Sequence, residues 1–353
     1  MNSAPIAHVL FRGQYDQPKD EVKAAVYSFL HPMPAGAPAN RLGLAQWLVS
    51  KENPLMPRVV INRYWQEIFG TGIVKTAEDF GIMGDAPSHP ELLDWLAVEF
   101  RDGGWDVKKM IRLMVTSATY RQADAATHEK LEKDPDNRLL SHAARFRMDA
   151  EMLRDYALAA SASLSTTMGG PSVKPYQPEG VWDSVGMRES NTRTYKRDSG
   201  ESLYRRSVYT FWKRMAPPPS MEIFNAPNRE TSCLRRERTN TPLQALVTLN
   251  DPQFVEAARR LAQLALTSST DEAARLDLLG RRILARPFGD KEVEVLRGVL
   301  ATLKADYLAK PEDARALIAV GESKPDPALN PSELAAWTML CNELFNLDET
   351  LNK

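Results

Sequence analysis

NRLGLAQWL (Asn40–Leu48), NPLMPRVVINRYWQEIFGTGIV (Asn53–Val74), EDFG (Glu78–Gly81), PSHPELLDWLAVEF (Pro87–Phe100) and GWDVKKMIRLMVTSATYRQ (Gly104–Gln122) follow one another and decide the fold class. Apolar residues recur in them every three or four positions, the period that lines up side chains on one face of an α-helix. Leu42, Leu44, Ala45, Trp47 and Leu48 mark a short helix; Val59, Val60, Tyr64, Ile68 and Phe69 mark the next, stopped by Gly70 and Gly72. Ser88, with Pro90 and Glu91 after it, has the spacing of a capping box and opens a helix over about His89–Phe100. Asp106 caps another, in which Val107, Met110, Ile111, Met114 and Val115 share a face. Trp47, Trp65, Trp95 and Trp105 stand among aliphatic neighbours at helical spacing and are assigned to the core.

Working outward, residues 8–38 mix alternating apolar positions with Gly13 and several prolines and read as an extended arm. Arg147–Leu164 makes a further amphipathic helix. Gly169–Pro219 turns to Gly, Pro, Ser and Tyr, with a strand-like run at Ser207–Trp212. Helices resume at Thr241-Pro242, Asp251-Pro252, Thr270 before Asp271-Glu272, and Asn330-Pro331, each with a capping residue or a proline in the first turn. The expected fold is mainly α: a multi-helix domain with an irregular, loop-rich central segment containing short strands. Its expected parts are an arm (1–39), a helical subdomain (40–168), a loop-rich basic segment (169–240) and a C-terminal helical subdomain (241–353), together one compact unit.

At 353 residues and 43% hydrophobic, the chain can fill a sizeable core, which excludes a disordered or fibrous protein. Forty-five Lys and Arg against 46 Asp and Glu give no global charge for a nucleic-acid or membrane-surface partner. The charge is uneven, however. Gly186–Arg238 holds twelve basic and six acidic residues, between flanks that are mildly acidic. The opening MNSAPIAHVL has no charged region followed by an apolar core, so no signal peptide is read, and no apolar run reaches the roughly 18 residues of a membrane span. By itself the chain reads as soluble and cytoplasmic. Cys233 and Cys341 supply neither a disulfide framework nor a CxxCH, so no haem attachment and no zinc site is expected.

Chemistry concentrates between Ser202 and Leu246. Arg205, Arg206, Lys213, Arg214, Arg235, Arg236 and Arg238 are candidate anion-binding residues, set among the candidate aromatic contacts Tyr209 and Trp212, with Trp182 a little upstream. Guanidinium groups bind carboxylate, sulfate or phosphate bidentately and stack on aromatic faces. The alternative is that these cations pair with acidic residues of the flanking helices and hold an irregular segment together. Cys233, two residues before Arg235, is either a thiolate stabilised by the cations or a small hydrophobe. His89 near Glu91 and Asp94 lacks the i, i+4 spacing of a metal-binding helix, and Ser117 lacks the glycines of a nucleophile elbow. Catalytic residues stay unassigned, and no metal site is expected.

Several runs together resemble one family: RGQYDQP (Arg12–Pro18), the Asn40–Gln122 stretch, DPDNRLL (Asp134–Leu140), RMDAEMLRD (Arg147–Asp155), GGPSVKPYQP (Gly169–Pro178), RRSVYTFWKR, TNTPLQALVTLNDPQFVEAA and the closing NLDET. It is the planctomycete-specific C-terminal domain of unknown function found in exported proteins with cytochrome-c-like modules. The resemblance implies that NLDETLNK is a natural terminus and that the opening corresponds to the middle of a longer protein. It also implies cytochrome-c-like and second unknown-function modules as partners, haem on those modules alone, and a periplasmic or cell-surface setting. Two functions follow as expectations. One is an accessory or interaction domain of such an assembly. The other is a hydrolytic or lyase-type enzyme acting on anionic (sulfated or uronic) polysaccharide, with the arginines binding substrate. Nucleic acid is not expected as a partner.

Overall fold

Residues 6–353 are described by a computed structural model, and the chain divides into two compact units, Met1–Ala144 and Arg145–Lys353. In the first unit, β1 (Ala7–Leu10) pairs antiparallel with β2 (Pro18–Val22), placing Ala7 opposite Val22. All residues of both strands are exposed. Five α-helices follow: α1 (Arg41–Leu48), α2 (Met56–Phe69), α3 (Pro90–Asp102), α4 (Val107–Val115) and α5 (His128–Lys133). Asn40 Oδ1 caps α1 by accepting from the Leu42 and Gly43 amides at 2.9 and 3.3 Å. Asp106 caps α4 through the Lys109 amide at 3.0 Å. α2 ends at Gly70, whose φ of 83° suits a residue without a Cβ.

The core of this unit is built from Ile61, Trp65 and Phe69 of α2, Leu93, Leu96 and Phe100 of α3, and Met110 and Met114 of α4. Burying each large side chain contributes roughly 2 kcal/mol. Asn62, fully buried beside them, clamps the following loop: its Nδ2 donates to the Val74 carbonyl (2.9 Å) and its Oδ1 accepts from the Val74 amide (2.8 Å). Two expectations fail locally. Trp95 is 51% exposed, because Leu93, Leu96, Ala97 and Phe100 occupy the buried stripe of α3 and position 95 falls outside it. The Ser88 capping box does not form: the hydroxyl donates to the Ile73 carbonyl instead, at 3.3 Å.

The second unit holds nine helices: α6 (Ala150–Ala160), α7 (Pro219–Ile223), α8 (Pro242–Asn250), α9 (Pro252–Ser268), α10 (Glu272–Ile283), α11 (Asp290–Ala309), α12 (Pro311–Ile318), α13 (Pro331–Phe345) and α14 (Asp348–Leu351). The protein is thus mainly α-helical, a multi-helix architecture with few short strands. α9 is the central element. Ala258, Ala262 and Ala265 are fully buried and let α13 approach closely, so that Leu334, Trp337, Leu340 and Leu344 pack with Leu261 of α9, Leu276 and Leu279 of α10, and Leu300 of α11. Asp251, Asp271 and Asn330 cap α9, α10 and α13, accepting from the Gln253, Ala274 and Glu333 amides at 3.0, 2.9 and 3.1 Å.

Composition groups α6 with the preceding helices, but its packing lies in the second unit. Ala157 and Ala160 join the α9 core, and Ala150 and Leu153 meet Met221, Phe224 and Leu351. The strand-like run Ser207–Trp212 opens as a 3-10 turn over Ser207–Tyr209, and a single bridge joins Val173 to Thr210.

Candidate functional site

The basic segment of the second unit is knitted into the protein by its own cations. Arg205 is only 7% exposed; its guanidinium donates to the carbonyls of Pro171 (3.1 Å), Thr167 (3.2 Å) and Gly169, and its Cζ lies 3.9 Å from the centre of the Tyr209 ring. Tyr209 Oη in turn accepts from the Gly169 amide at 2.7 Å, so both candidates fasten the Gly169–Pro171 turn. Arg206 faces Asp155 at 3.6 Å and Arg214 faces Glu230 at 3.7 Å. Arg236 reaches Glu151 at 2.5 Å and Asp149 at 3.6 Å, while Arg238 lies 4.2 Å over the Phe146 ring. Arg235 is exposed, and its carbonyl accepts from the Cys233 thiol at 3.3 Å. The recess lined by Arg205 includes none of the other six candidate cations.

The aromatic candidates need one correction. Trp182 is 1% exposed: it packs edge-on to Tyr195 at 4.9 Å and against Phe211 at 5.4 Å, with Lys213 over its ring at 4.8 Å. Lys213 also donates to the Thr192 carbonyl at 2.7 Å. The loop composition suggested exposure, but the surrounding rings form a small core of their own. Trp212 is half-buried, donates to the Asn228 carbonyl at 3.1 Å and carries Arg229 at 4.6 Å over its face.

Two buried polar centres were missed by the sequence reading. Arg154 of α6 is 3% exposed and donates to Gln253 Oε1 (2.5 Å) and to the carbonyls of Arg205 and Leu203 (2.7 Å each). Burial pulls its pKa down to about 10, against the opposing pull of Asp155 and Asp251. On α9, Glu256 is 1% exposed and accepts from Tyr176 Oη (2.7 Å), Tyr204 Oη (2.9 Å) and the Ser323 amide (2.7 Å), with Arg259 at 3.7 Å. Burial raises its pKa, but the Ser323 and tyrosine donors outweigh it and hold the carboxyl below its ordinary value. The signal available beforehand was a Glu and an Arg three positions apart inside the apolar run of α9.

Recesses on this unit include two of small-molecule size. The smaller, of about 410 Å³, is polar and is lined by Asp198, Glu201, Ser172 and Arg205 among others. Ser165 and Thr167 hydroxyls donate to Glu201, each at 2.6 Å, and hold its carboxyl below the usual range. The larger, of about 480 Å³, is walled mainly by apolar side chains, including Pro178, Ile223, Leu243, Leu246 and Val247. Its volume is that of a small-molecule site.

Helix α8, which forms a wall of the larger recess, is turned inside out. Its polar face is inward: Gln244 and Thr248 are each 1% exposed. Gln244 Nε2 donates to the Ile223 carbonyl and to Thr239 Oγ1 (3.1 Å each), and its Oε1 accepts from Arg147 at 3.1 Å. Thr248 bonds to the Asn346 side chain, and its carbonyl accepts from Asn342 at 3.1 Å. Two of its leucines face outward, Leu243 59% and Leu246 55% exposed, while Val247 packs half-buried against the core. Asp251, at the junction of α8 and α9, also lines the recess. Burial raises its pKa to about 6, more than the Gln253 amide and the Arg154 charge lower it.

Among the described residues no cluster of three or more His, Cys, Asp or Glu is arranged to hold a metal, and no helix is long and apolar enough to cross a membrane. Fold and geometry define a mainly α-helical protein with an apolar recess beside an inverted helix. The chain belongs to the family described as PSD1, protein of unknown function (DUF1553), whose model matches residues 40–300. No curated protein and no solved structure matches it.

Proposed function

We propose that the chain is an accessory binding module of an exported, cytochrome-associated multidomain protein, and that it holds an apolar ligand in the recess beside α8. The observation that carries this reading is the orientation of α8. A helix that buries Gln244 and Thr248 while exposing Leu243 and Leu246 reverses the usual arrangement, leaving apolar surface open where a ligand can cover it. Motif resemblance supports the setting: periplasm or cell surface, beside cytochrome-c-like modules that carry the haem. The reading is tested with Nile red, a neutral apolar dye. Fluorescence enhancement is expected with the intact chain, and the affinity is expected to fall about tenfold for Leu246→Glu. An unchanged affinity contradicts it.

Action on sulfated or uronic polysaccharide is the second reading, favoured by the polar recess in which Arg205 adjoins Asp198 and Glu201. Two features weigh against it. The Arg205 guanidinium already serves main-chain carbonyls, and Glu201 is held ionised by two hydroxyls, which suits it poorly to donate a proton. Depolymerisation of a sulfated glycan that is lost in Glu201→Gln would establish this activity in place of the first reading.

A further inference from the structure

Within the recess the charge is arranged one-sidedly. Among the described residues that line it, Asp251 alone carries a charge. Its Oδ1 caps α9 by accepting from the Gln253 amide at 3.0 Å, and among the described residues no protein donor reaches Oδ2. Asp251 is half-buried. Arg154, a cation acting on it, already donates to Gln253, Ser207 and two carbonyls and makes no hydrogen bond to Asp251. A half-buried carboxylate in this position has lost part of its hydration without gaining a full ion pair, and an apolar lining does not replace what is lost.

We infer that the recess takes an apolar amine: an aliphatic or aromatic body against Ile223, Leu243, Leu246 and Val247, and a protonated nitrogen on Asp251. This rests on the reading of the recess as a ligand site and adds the chemical class of the ligand. A cation there supplies the missing donors to Oδ2, and the low local polarity strengthens the pairing. The groups acting on Asp251 are Arg154 from α6 and the Gln253 amide of α9, both fixed in charge across neutral pH, while Tyr176 of the lining has its hydroxyl committed to Glu256. Asp251 itself titrates near 6, so the amine is held when the carboxyl is ionised and released as it protonates.

The test compares 4-phenylbutylamine with its neutral counterpart 4-phenylbutan-1-ol by calorimetry on the intact chain, at about pH 8 and about pH 4.5. At the higher pH the amine is expected to bind about tenfold tighter than the alcohol; at the lower pH, and in Asp251→Asn, the two are expected to bind alike. Asparagine keeps the helix cap, and Asp251→Ser, a second capping residue, provides the same comparison if the Asp251→Asn variant melts early. If both ligands bind equally at both pH values, the amine inference falls while the recess remains a ligand site. If neither binds, the underlying reading falls with it. An amine preference that survives in both Asp251 variants places the cation elsewhere and overturns the inference.

Discussion

The arginine-rich run from Arg205 to Arg238 and helix α8 sit a few residues apart in the chain and use their side chains in opposite ways. The first carries conspicuous charge, and most of it is taken up by the protein itself: Arg205 by loop carbonyls, Arg206 by Asp155, Arg214 by Glu230, Arg236 by Glu151 and Asp149. The second carries no charged side chain, yet buries Gln244 and Thr248 and exposes Leu243 and Leu246. Residues that advertise binding chemistry are consumed by structure, whereas an ordinary-looking leucine face is left open. What marks a candidate site is the difference between what a group could bind and what the fold already gives it.

The comparison can be broken most severely at Arg154. Arg154→Met leaves the Arg205 and Leu203 carbonyls and Gln253 without their donor, and is expected to destabilise by about 3 kcal/mol in urea unfolding. Arg206→Ala, which removes a half-exposed partner of Asp155, is expected to cost about 1 kcal/mol or less. Equal losses would show that exposed and buried arginines share one structural role. At α8, Gln244→Leu leaves Arg147 and the Ile223 carbonyl unsatisfied and is expected to cost roughly 1–3 kcal/mol, despite adding an apolar side chain.

A pH effect comes next. The folded-state value of Asp251, about 6, lies above its ordinary value of 3.8, so folding favours the protonated form. That contribution is fully present below 3.8 and is lost as pH rises through about 6; it amounts to about 2 kcal/mol once discounted for partial solvent access. Glu292, pulled down to about 2 by Arg286, acts with the opposite sign: its contribution is present above 4.5 and lost as pH falls toward 2. Between about pH 4.5 and 7 the wild-type chain is therefore expected to lose stability relative to Asp251→Asn as pH rises. Parallel curves for the two proteins would remove the raised carboxyl. The smallest effect is expected at Leu246→Ser, about 0.5 kcal/mol or less in stability, because this side chain is already in solvent.

The helices of the Asn40–Gln122 stretch were legible because their apolar period needs no distant partner. α4 with its Asp106 cap is an example, and the misses were single residues: Trp95, which falls outside the buried stripe of α3, and the Ser88 hydroxyl, drawn to the Ile73 carbonyl. The central segment was legible as charge and illegible as structure. Asp149, Glu151 and Asp155, which take up Arg236 and Arg206, lie far upstream, and no spacing rule links them. Trp182 was misplaced for the same reason: its cover comes from two later stretches, Tyr195 from one and Phe211 with Lys213 from the other. In α8 the two faces were readable from Leu243, Gln244, Leu246 and Thr248. Which face turns inward is decided by Arg147, Asn342 and Asn346, almost a hundred residues away on either side.

The most direct test of the central claim, that the binding face is α8 and its recess, is a methyl-detected NMR titration of the intact chain with 4-phenylbutylamine at about pH 8. Shifts are expected at Leu243, Leu246, Val247 and Ile223, with the methyls of the buried Leu276 and Leu279 unmoved. Shifts confined to Val173, in the polar recess beside Arg205, would contradict it.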